Sequence, residues 1–335
     1  MVAPDLDALV AGLARGERRA LARLLTVVED GSPEQLRTVV AALHPRGGNA
    51  RVLGISGSPG VGKSTLTDAV ATALRAAGRT VAILAVDPSS PFTGGALLGD
   101  RIRMQGHYAD PGVFIRSMAS RGHLGGLSFA TPQAVLVLDA AGFDDVIIET
   151  VGVGQSEVEI AATADTTLIA LAPGMGDGIQ AAKAGILEGA DVFVINKSDA
   201  PGAGKLESEL RGMLELGHAT AGVGEEVGWW PPILRTVAVR AEGIAEVVAA
   251  LTEHADHLAA QGRGAARRRA RARHLVRELA LESTRRTFAR LEAGEDGLLD
   301  SLAEQVEART LDPYRAADEL LAASRAAAAA ASSPA

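Results

Sequence analysis

The spacing of apolar residues changes period twice along the chain. In residues 1–46, Leu6, Leu9, Val10 and Leu13 fall on one helical stripe, and Leu21, Leu24, Leu25 and Val28 on another. Ser32-Pro33-Glu34-Gln35 reads as a helix start, in which the serine caps, the proline takes the first helical position and the glutamine returns a hydrogen bond. His44-Pro45-Arg46-Gly47-Gly48 then breaks the pattern and marks a boundary. From Arg51 to about residue 260, short apolar runs alternate with helical segments. The runs fill 52–55, 81–86, 113–115, 146–148, 167–171, 192–195 and 233–237. They are continuous rather than alternating, which implies strands buried on both faces, in a largely parallel sheet flanked by helices. Gly78 and Gly142 stand where helices end before a strand, and Thr131-Pro132 reads as a cap and first helical residue. Helical spacing returns over 263–331. Gly294 and Gly297 separate two helices there, Asp312-Pro313 starts a third, and the low-complexity stretch 326–335 is expected to fray. The fold class is therefore α/β. The expected organisation is a helical extension over 1–46, an α/β domain over 47–260 and C-terminal helices over 261–335.

Composition narrows the functional classes. The chain has 335 residues, of which 47% are apolar but only 3% aromatic, so the core is built from small aliphatic side chains. A formal net charge of −8 argues against a general nucleic-acid binder. The sequence has no cysteine, which excludes disulfides and thiolate metal centres. Asp5 and Asp7 interrupt any signal-peptide pattern, and no apolar run approaches the roughly 20 residues of a membrane helix. A cytoplasmic protein with no membrane partner is expected. Arg263, Arg267, Arg268, Arg269, Arg271 and Arg273 read as a solvated helix face. His254 and His257, with no third ligand nearby, read as surface histidines. Trp229-Trp230-Pro231-Pro232 reads as a packed loop.

Two motifs carry nucleotide chemistry. Gly57-Ser58-Pro59-Gly60-Val61-Gly62-Lys63-Ser64-Thr65 fits G-x-x-x-x-G-K-[ST] between an apolar run and a helix. Its glycines let backbone N–H groups turn toward phosphate, and the helix start adds a positive dipole end. Lys63 is expected on the β- and γ-phosphates and Ser64 on Mg2+. Asn196-Lys197-Ser198-Asp199 closes the run 192–195. The Asp199 carboxylate can accept from guanine N1–H and the 2-amino group; adenine offers neither donor there. Asn196 is expected near the O6/N7 edge, with the Lys197 stem over the ring. Ala238 and Val239, after the last strand, are the expected second base contact.

Three carboxylates join them. Asp87 ends the run 81–86, Asp100 closes the stretch 93–99, and Glu149 ends the run 146–148. Strand ends gather on one edge of a parallel sheet, so Asp87 and Glu149 should face the 57–65 loop. Mg2+ takes one or two direct carboxylates, so part of this set acts through water. Gly152 would let its N–H approach the γ-phosphate. Residues 88–105 and 150–158 read as segments that sense the γ-phosphate, and 172–178, leading to Lys183, as a third.

The chain resembles the MeaB-type G-protein chaperones of cobalamin-dependent acyl-CoA mutases, known also as ArgK or LAO/AO transport ATPases. The resemblance rests on GSPGVGKST at 57–65, VDPSSPFTGGALLGDRIRM at 86–104, ETVGVGQSE at 149–157, APGMGDGIQAAKAGILE at 172–188 and NKSD at 196–199. It implies a P-loop NTPase of the SIMIBI type that binds GTP/GDP with Mg2+. It maps Lys63, Ser64, Asp87, Asp100 and Glu149 onto phosphate and metal residues, Lys183 onto an extra switch, and the C-terminal helices onto a homodimerisation arm. The implied work is to gate adenosylcobalamin delivery to methylmalonyl-CoA mutase or a sister enzyme, and to protect it. The implied hydrolysis is slow alone and stimulated by that partner. A nickel metallochaperone GTPase is the alternative, disfavoured by the missing cysteines. An ATP-dependent kinase of a transport system is another, disfavoured by Asp199.

Overall fold

The computed structural model describes residues 5–87, 105–107, 109–119, 130–150, 156–175, 189–220, 228–260, 262–292 and 297–332. The chain forms two compact units, Met1–Arg268 and Arg269–Ala335.

The first unit is built on seven strands: β1 (Arg51–Ser56), β2 (Val81–Asp87), β3 (Val113–Ala119), β4 (Asp145–Thr150), β5 (Thr166–Leu171), β6 (Val192–Ile195) and β7 (Ile233–Arg235). Their order is β3-β2-β4-β1-β5-β6-β7, and every pairing is parallel. Each apolar run became a strand. The third extends beyond its run to Ala119, and the seventh stops at Arg235, where the chain turns. Every residue of β4, β5 and β6 is buried, as a sheet covered on both faces demands.

One face packs against α4 (Lys63–Ala76) and α8 (Ile244–Ala260), with Leu66, Val70, Val247 and Leu251 against Ile55, Ile83, Leu168 and Val194. Against the other face lie α1 (Leu6–Ala14), α2 (Arg18–Asp30), α3 (Pro33–Leu43) and α5 (Thr131–Ala140). There Leu24, Leu25, Val39, Leu43 and Leu138 share a core with Leu84, Phe114 and Val146. Polar bonds reinforce the attachment of the N-terminal helices. Arg18 donates to the Val113 carbonyl at 2.6 Å, and Arg116 on β3 pairs with Glu29 on α2. Two further helices, α6 (Ser156–Thr163) and α7 (Ala203–Thr220), complete the cover, with Ile160 and Leu210 fully buried.

The expected end signals are largely in place. Ser32 and Gln35 form a reciprocal capping box, and Gly78 and Gly142 adopt positive φ just past α4 and α5. Thr131 differs: it is the first residue of α5 rather than its cap, and its buried hydroxyl has no hydrogen-bond partner among the described residues.

At the edge where strands begin, Asp191 just ahead of β6 ties several segments together. Its carboxylate takes both Arg267 Nη groups at 2.9 and 2.8 Å and the Thr167 N–H at 2.7 Å. Its carbonyl accepts the Trp229 indole N–H at 2.7 Å. The histidines are not on the surface as expected. His254 is 1% exposed, 2.8 Å from the Thr166 hydroxyl and 3.3 Å from Asp191, and both imidazoles lie against the Trp229 ring. The spacing i, i+3 put both on one face of α8, and that face turns inward. Arg267 likewise departs from the solvated row expected of it.

In the second unit, α10 (Leu298–Glu307) starts after Gly297 at φ +49°, and α11 (Pro313–Ser332) starts after Asp312. The Asp312 carboxylate accepts the N–H groups of Tyr314 and Arg315. The long helix α9 (Arg263–Glu292) begins in the first unit and continues into the second. Gly294 lies outside the described residues. The helix α11 runs through Ser332, in keeping with the high helix propensity of alanine, and 333–335 lie outside the described residues. No described helix is long and apolar enough to cross a membrane.

Burial holds the His254 imidazole below its ordinary range; Asp191 opposes the shift, Arg267 and His257 add to it, and Asp165 opposes it. A depressed folded-state value means the native chain prefers neutral His254, so that stability is present above the ordinary pKa of 6.5 and is lost as pH falls below it. The urea midpoint should therefore fall between about pH 7.5 and about pH 5.5, and fall less in His254→Gln. Equal losses in the two proteins would remove His254 as a source of acid sensitivity.

Candidate functional site

The opposite edge, where the parallel strands end, collects the candidate chemistry. β1 runs into the 57–62 turn and α4 starts at Lys63. Two glycines make this turn possible. Gly57 has φ +145°, and a Cβ there would lie 2.1 Å from the Ala170 carbonyl oxygen of β5. Gly62 has φ +93°, and its Cβ would lie 2.6 Å from the Asn196 side-chain nitrogen. Only glycine lets the backbone pass this close in this conformation. The turn opens directly onto the N-terminus of α4, whose first N–H groups and dipole favour an anion.

The Lys63 side chain is buried and folds over the turn, donating to the carbonyls of Gly57 at 2.8 Å and Ser58 at 3.1 Å. Ser64 donates to Glu149 Oε1 at 2.6 Å, and both residues are buried. Register explains the meeting: Glu149 on β4 lies beside Ile55 on β1, at the mouth of the turn. The Thr150 hydroxyl also reaches Ser56, at 3.0 Å. A hydroxyl and a carboxylate side by side form a hard oxygen donor set of the kind Mg2+ takes next to phosphate, so the residues present fit that ion. Val61 is buried, while Ser58, Pro59 and Thr65 remain partly or fully accessible.

Asp87 is the last residue of β2, opposite Ala119, and so lies at the same edge; its side chain is outside the described residues. Asp100, Gly152 and Lys183 are outside them altogether. Of the expected third switch, only 172–175 is described. Gly174 turns there with φ +79°, and Met175 lies close to Gly60.

Asn196, expected near the O6/N7 edge of the base, directly follows β6. It is 3% exposed, and its amide links two loops. Its nitrogen donates to the Val61 carbonyl at 2.9 Å; its oxygen accepts from the Ala238 N–H and the Thr236 hydroxyl, each at 3.1 Å. Lys197 adopts φ +55° and donates to the Gly60 carbonyl at 2.7 Å. Asp199 is half exposed, and its Oδ2 takes Arg240 Nη1 at 3.1 Å. Ala238 and Val239 lie in a short turn after β7, with Ala238 buried and Val239 78% exposed. Thr236 and Arg240 were not foreseen. Arg240 stands one residue beyond the expected base contact, but nothing local pairs it with a carboxylate 41 positions earlier.

A parallel sheet with a glycine-rich strand-to-helix turn, a buried lysine in that turn and an Asn-Lys-Ser-Asp loop bonded to it defines a P-loop nucleotide-binding protein. The family described as methylmalonyl Co-A mutase-associated GTPase MeaB matches residues 21–292, and the chain belongs to that family. It is a GTPase. A Pyrococcus abyssi relative is 45% identical over 317 residues, 94% of this chain and 96% of its own. GTPase ArgK of Escherichia coli is 41% identical over 255 residues, 75% of this chain and 76% of its own. The mitochondrial methylmalonic aciduria type A homolog of Mus musculus is 34% identical over 336 residues, 94% of this chain and 79% of its own. Among solved structures, an LAO/AO transport system kinase superposes with a TM-score of 0.66 at 29% identity, covering 96% of this chain and 98% of that one.

Asn196→Ala should cost about 2–4 kcal/mol of stability in nucleotide-free protein, because it strands three buried polar groups at once. Urea unfolding without nucleotide measures it. An unchanged midpoint combined with weak nucleotide binding would make Asn196 a ligand contact and not a strut.

Proposed function

We propose that the chain is a GTP-hydrolysing chaperone of a cobalamin-dependent acyl-CoA mutase, methylmalonyl-CoA mutase or a sister enzyme. The observation that carries the nucleotide part is the pair of bonds from Asn196 and Lys197 to the carbonyls of Val61 and Gly60, which fuse the base loop and the phosphate loop into one site. The client assignment draws on the family's description and on the mouse relative's name.

In this reading the N–H groups of residues 57–65 and the start of α4 hold the phosphates, and Lys63 exchanges its carbonyl partners for the β- and γ-phosphate oxygens. Ser64 and Glu149, with Asp87 and Asp100, hold Mg2+ directly or through water. When bound, that ion neutralises charge on the phosphate oxygens. Gly152 offers an N–H to the γ-phosphate, and Lys183 relays nucleotide state to the partner. Asp199 accepts from the two guanine donors, Lys197 covers the ring, and Ala238 and Val239 complete the base pocket. An ATP-dependent kinase fits poorly, since adenine leaves the Asp199 carboxylate without its donors. Hydrolysis is slow until the client completes the surroundings of the γ-phosphate. The client thereby reads nucleotide state, which gates adenosylcobalamin loading and protects the enzyme. The helices from residue 261 onward serve as a homodimerisation arm.

Titration calorimetry with GTP and with ATP, each with Mg2+, should give at least a hundredfold preference for GTP, about 3 kcal/mol at 25 °C. Comparable affinities would overturn the base assignment. GTP turnover should rise when the cognate mutase is added. A flat rate with every cobalamin-dependent acyl-CoA mutase of the source organism would remove the chaperone role and leave the GTPase.

A further inference from the structure

The turn after β7 carries a cluster that the nucleotide chemistry has not absorbed. Arg240 directs Nε to Glu242 Oε1 at 2.7 Å and Nη2 to Glu242 Oε2 at 3.3 Å, a two-pronged pair that fixes the plane of its guanidinium. The third prong, Nη1, points to Asp199 Oδ2 at 3.1 Å. The backbone beneath is constrained. Ala241 has φ +57°, the Val237 N–H donates to the Glu242 carbonyl, and Gly243 passes so close to the Arg235 carbonyl that a Cβ would lie 2.1 Å from it. Glu242 is therefore presented from a rigid turn, and Arg240 is held between it and Asp199.

We infer that Arg240, braced by Glu242, is a positioning residue that aims the Asp199 carboxylate at the guanine edge and so sets base specificity. The inference rests on Asp199 reading guanine. The Asp199 and Arg240 side chains are 48% and 50% exposed. An unbraced aspartate at that exposure would sample several rotamers, and ordering it on binding would cost about 0.5–1.5 kcal/mol. Arg240 removes part of that cost beforehand. It contacts one carboxylate oxygen only, and a carboxylate has about four lone-pair sites, so acceptance from N1–H and the 2-amino group is compatible with the brace. A lysine would not do the same work, because a compact ammonium cannot hold two carboxylates in one fixed plane.

The opposite role is also testable. A guanidinium that competes with guanine for the carboxylate would weaken binding, and its removal would tighten it. Affinities for GDP and for inosine diphosphate, which lacks the 2-amino group, separate these cases in the full chain. Arg240→Ala should weaken GDP about three- to tenfold and narrow the GDP-to-IDP ratio, Arg240→Lys should restore little, and Glu242→Gln should give an intermediate loss. Tighter GDP binding in Arg240→Ala, or weaker binding with an unchanged ratio, overturns the proposal. Asp199→Ala is the control for the underlying reading. If it leaves the GDP-to-IDP ratio intact, Asp199 does not read the base. If it collapses the ratio while Arg240→Ala does not, only the brace fails. In the Asp199→Ala background, Arg240→Ala should have no further effect on the ratio.

Discussion

A buried amide, with Lys197 beside it, joins the two turns of the candidate site. Asn196 directly follows β6 and bonds simultaneously to the turn after β1 and the turn after β7. The turn after β1 has no regular structure of its own, and the turn after β7 has only the short helical turn Ala238–Arg240. Each has buried polar backbone atoms that need a partner in a dry interior. The amide satisfies them with one side chain, and in doing so ties the turn after β1 to the turn after β7. Gly62 is a direct consequence, since its φ and the nearness of Asn196 together leave no room for a side chain.

The electrostatic layout follows from the same edge. Lys63 brings a buried positive charge into a turn lined with carbonyls, and Glu149 brings a buried carboxylate next to Ser64. Charges removed from water in this way are tolerated when hydrogen-bonded, and they are ready to be traded for a triphosphate and a divalent ion. The strand-starting edge holds a second charge cluster, around Asp191, which ties segments to one another. The sheet thus has one chemical edge and one mechanical edge.

Much of this was legible in the sequence. The inner strands β4, β5 and β6 could be read because burial on both faces leaves them mostly apolar, and the edge strands β3 and β7 were read from shorter apolar stretches, with Arg116 inside β3 and Arg235 at the end of β7. The capping box at Ser32 and the stop at Gly78 are local signals and were read locally. Thr131 was misplaced by one helical position, while the misread side chains of α8 and α9 have partners distant in the chain. His254 looked like a surface residue because the helix spacing says nothing about which face turns inward, and Trp229 and Thr166 come from other segments. Arg267 looked like one of a charged row until Asp191 claimed it. Asn196 has bonds, beyond the base contact expected of it, that run 135 positions back to Val61 and 42 forward to Ala238, and spacing alone does not show them. Motif spacing identified which residues meet, and not what each of them holds.

Strand β6 is only four residues long, is wholly buried, and is paired on both sides. It carries Asn196 at its tail and Asp191 at its head, so the base loop and the anchor of Arg267 lie at the two ends of a rod of roughly 16 Å at ordinary strand rise. Such a strand, hydrogen-bonded to a neighbour on each side, resists stretching and bending. A displacement imposed at one end has to reappear at the other as a slide of the whole strand or be refused by the sheet. The loop that follows β6 and the Arg267 anchor ahead of it are therefore joined through one short, buried strand.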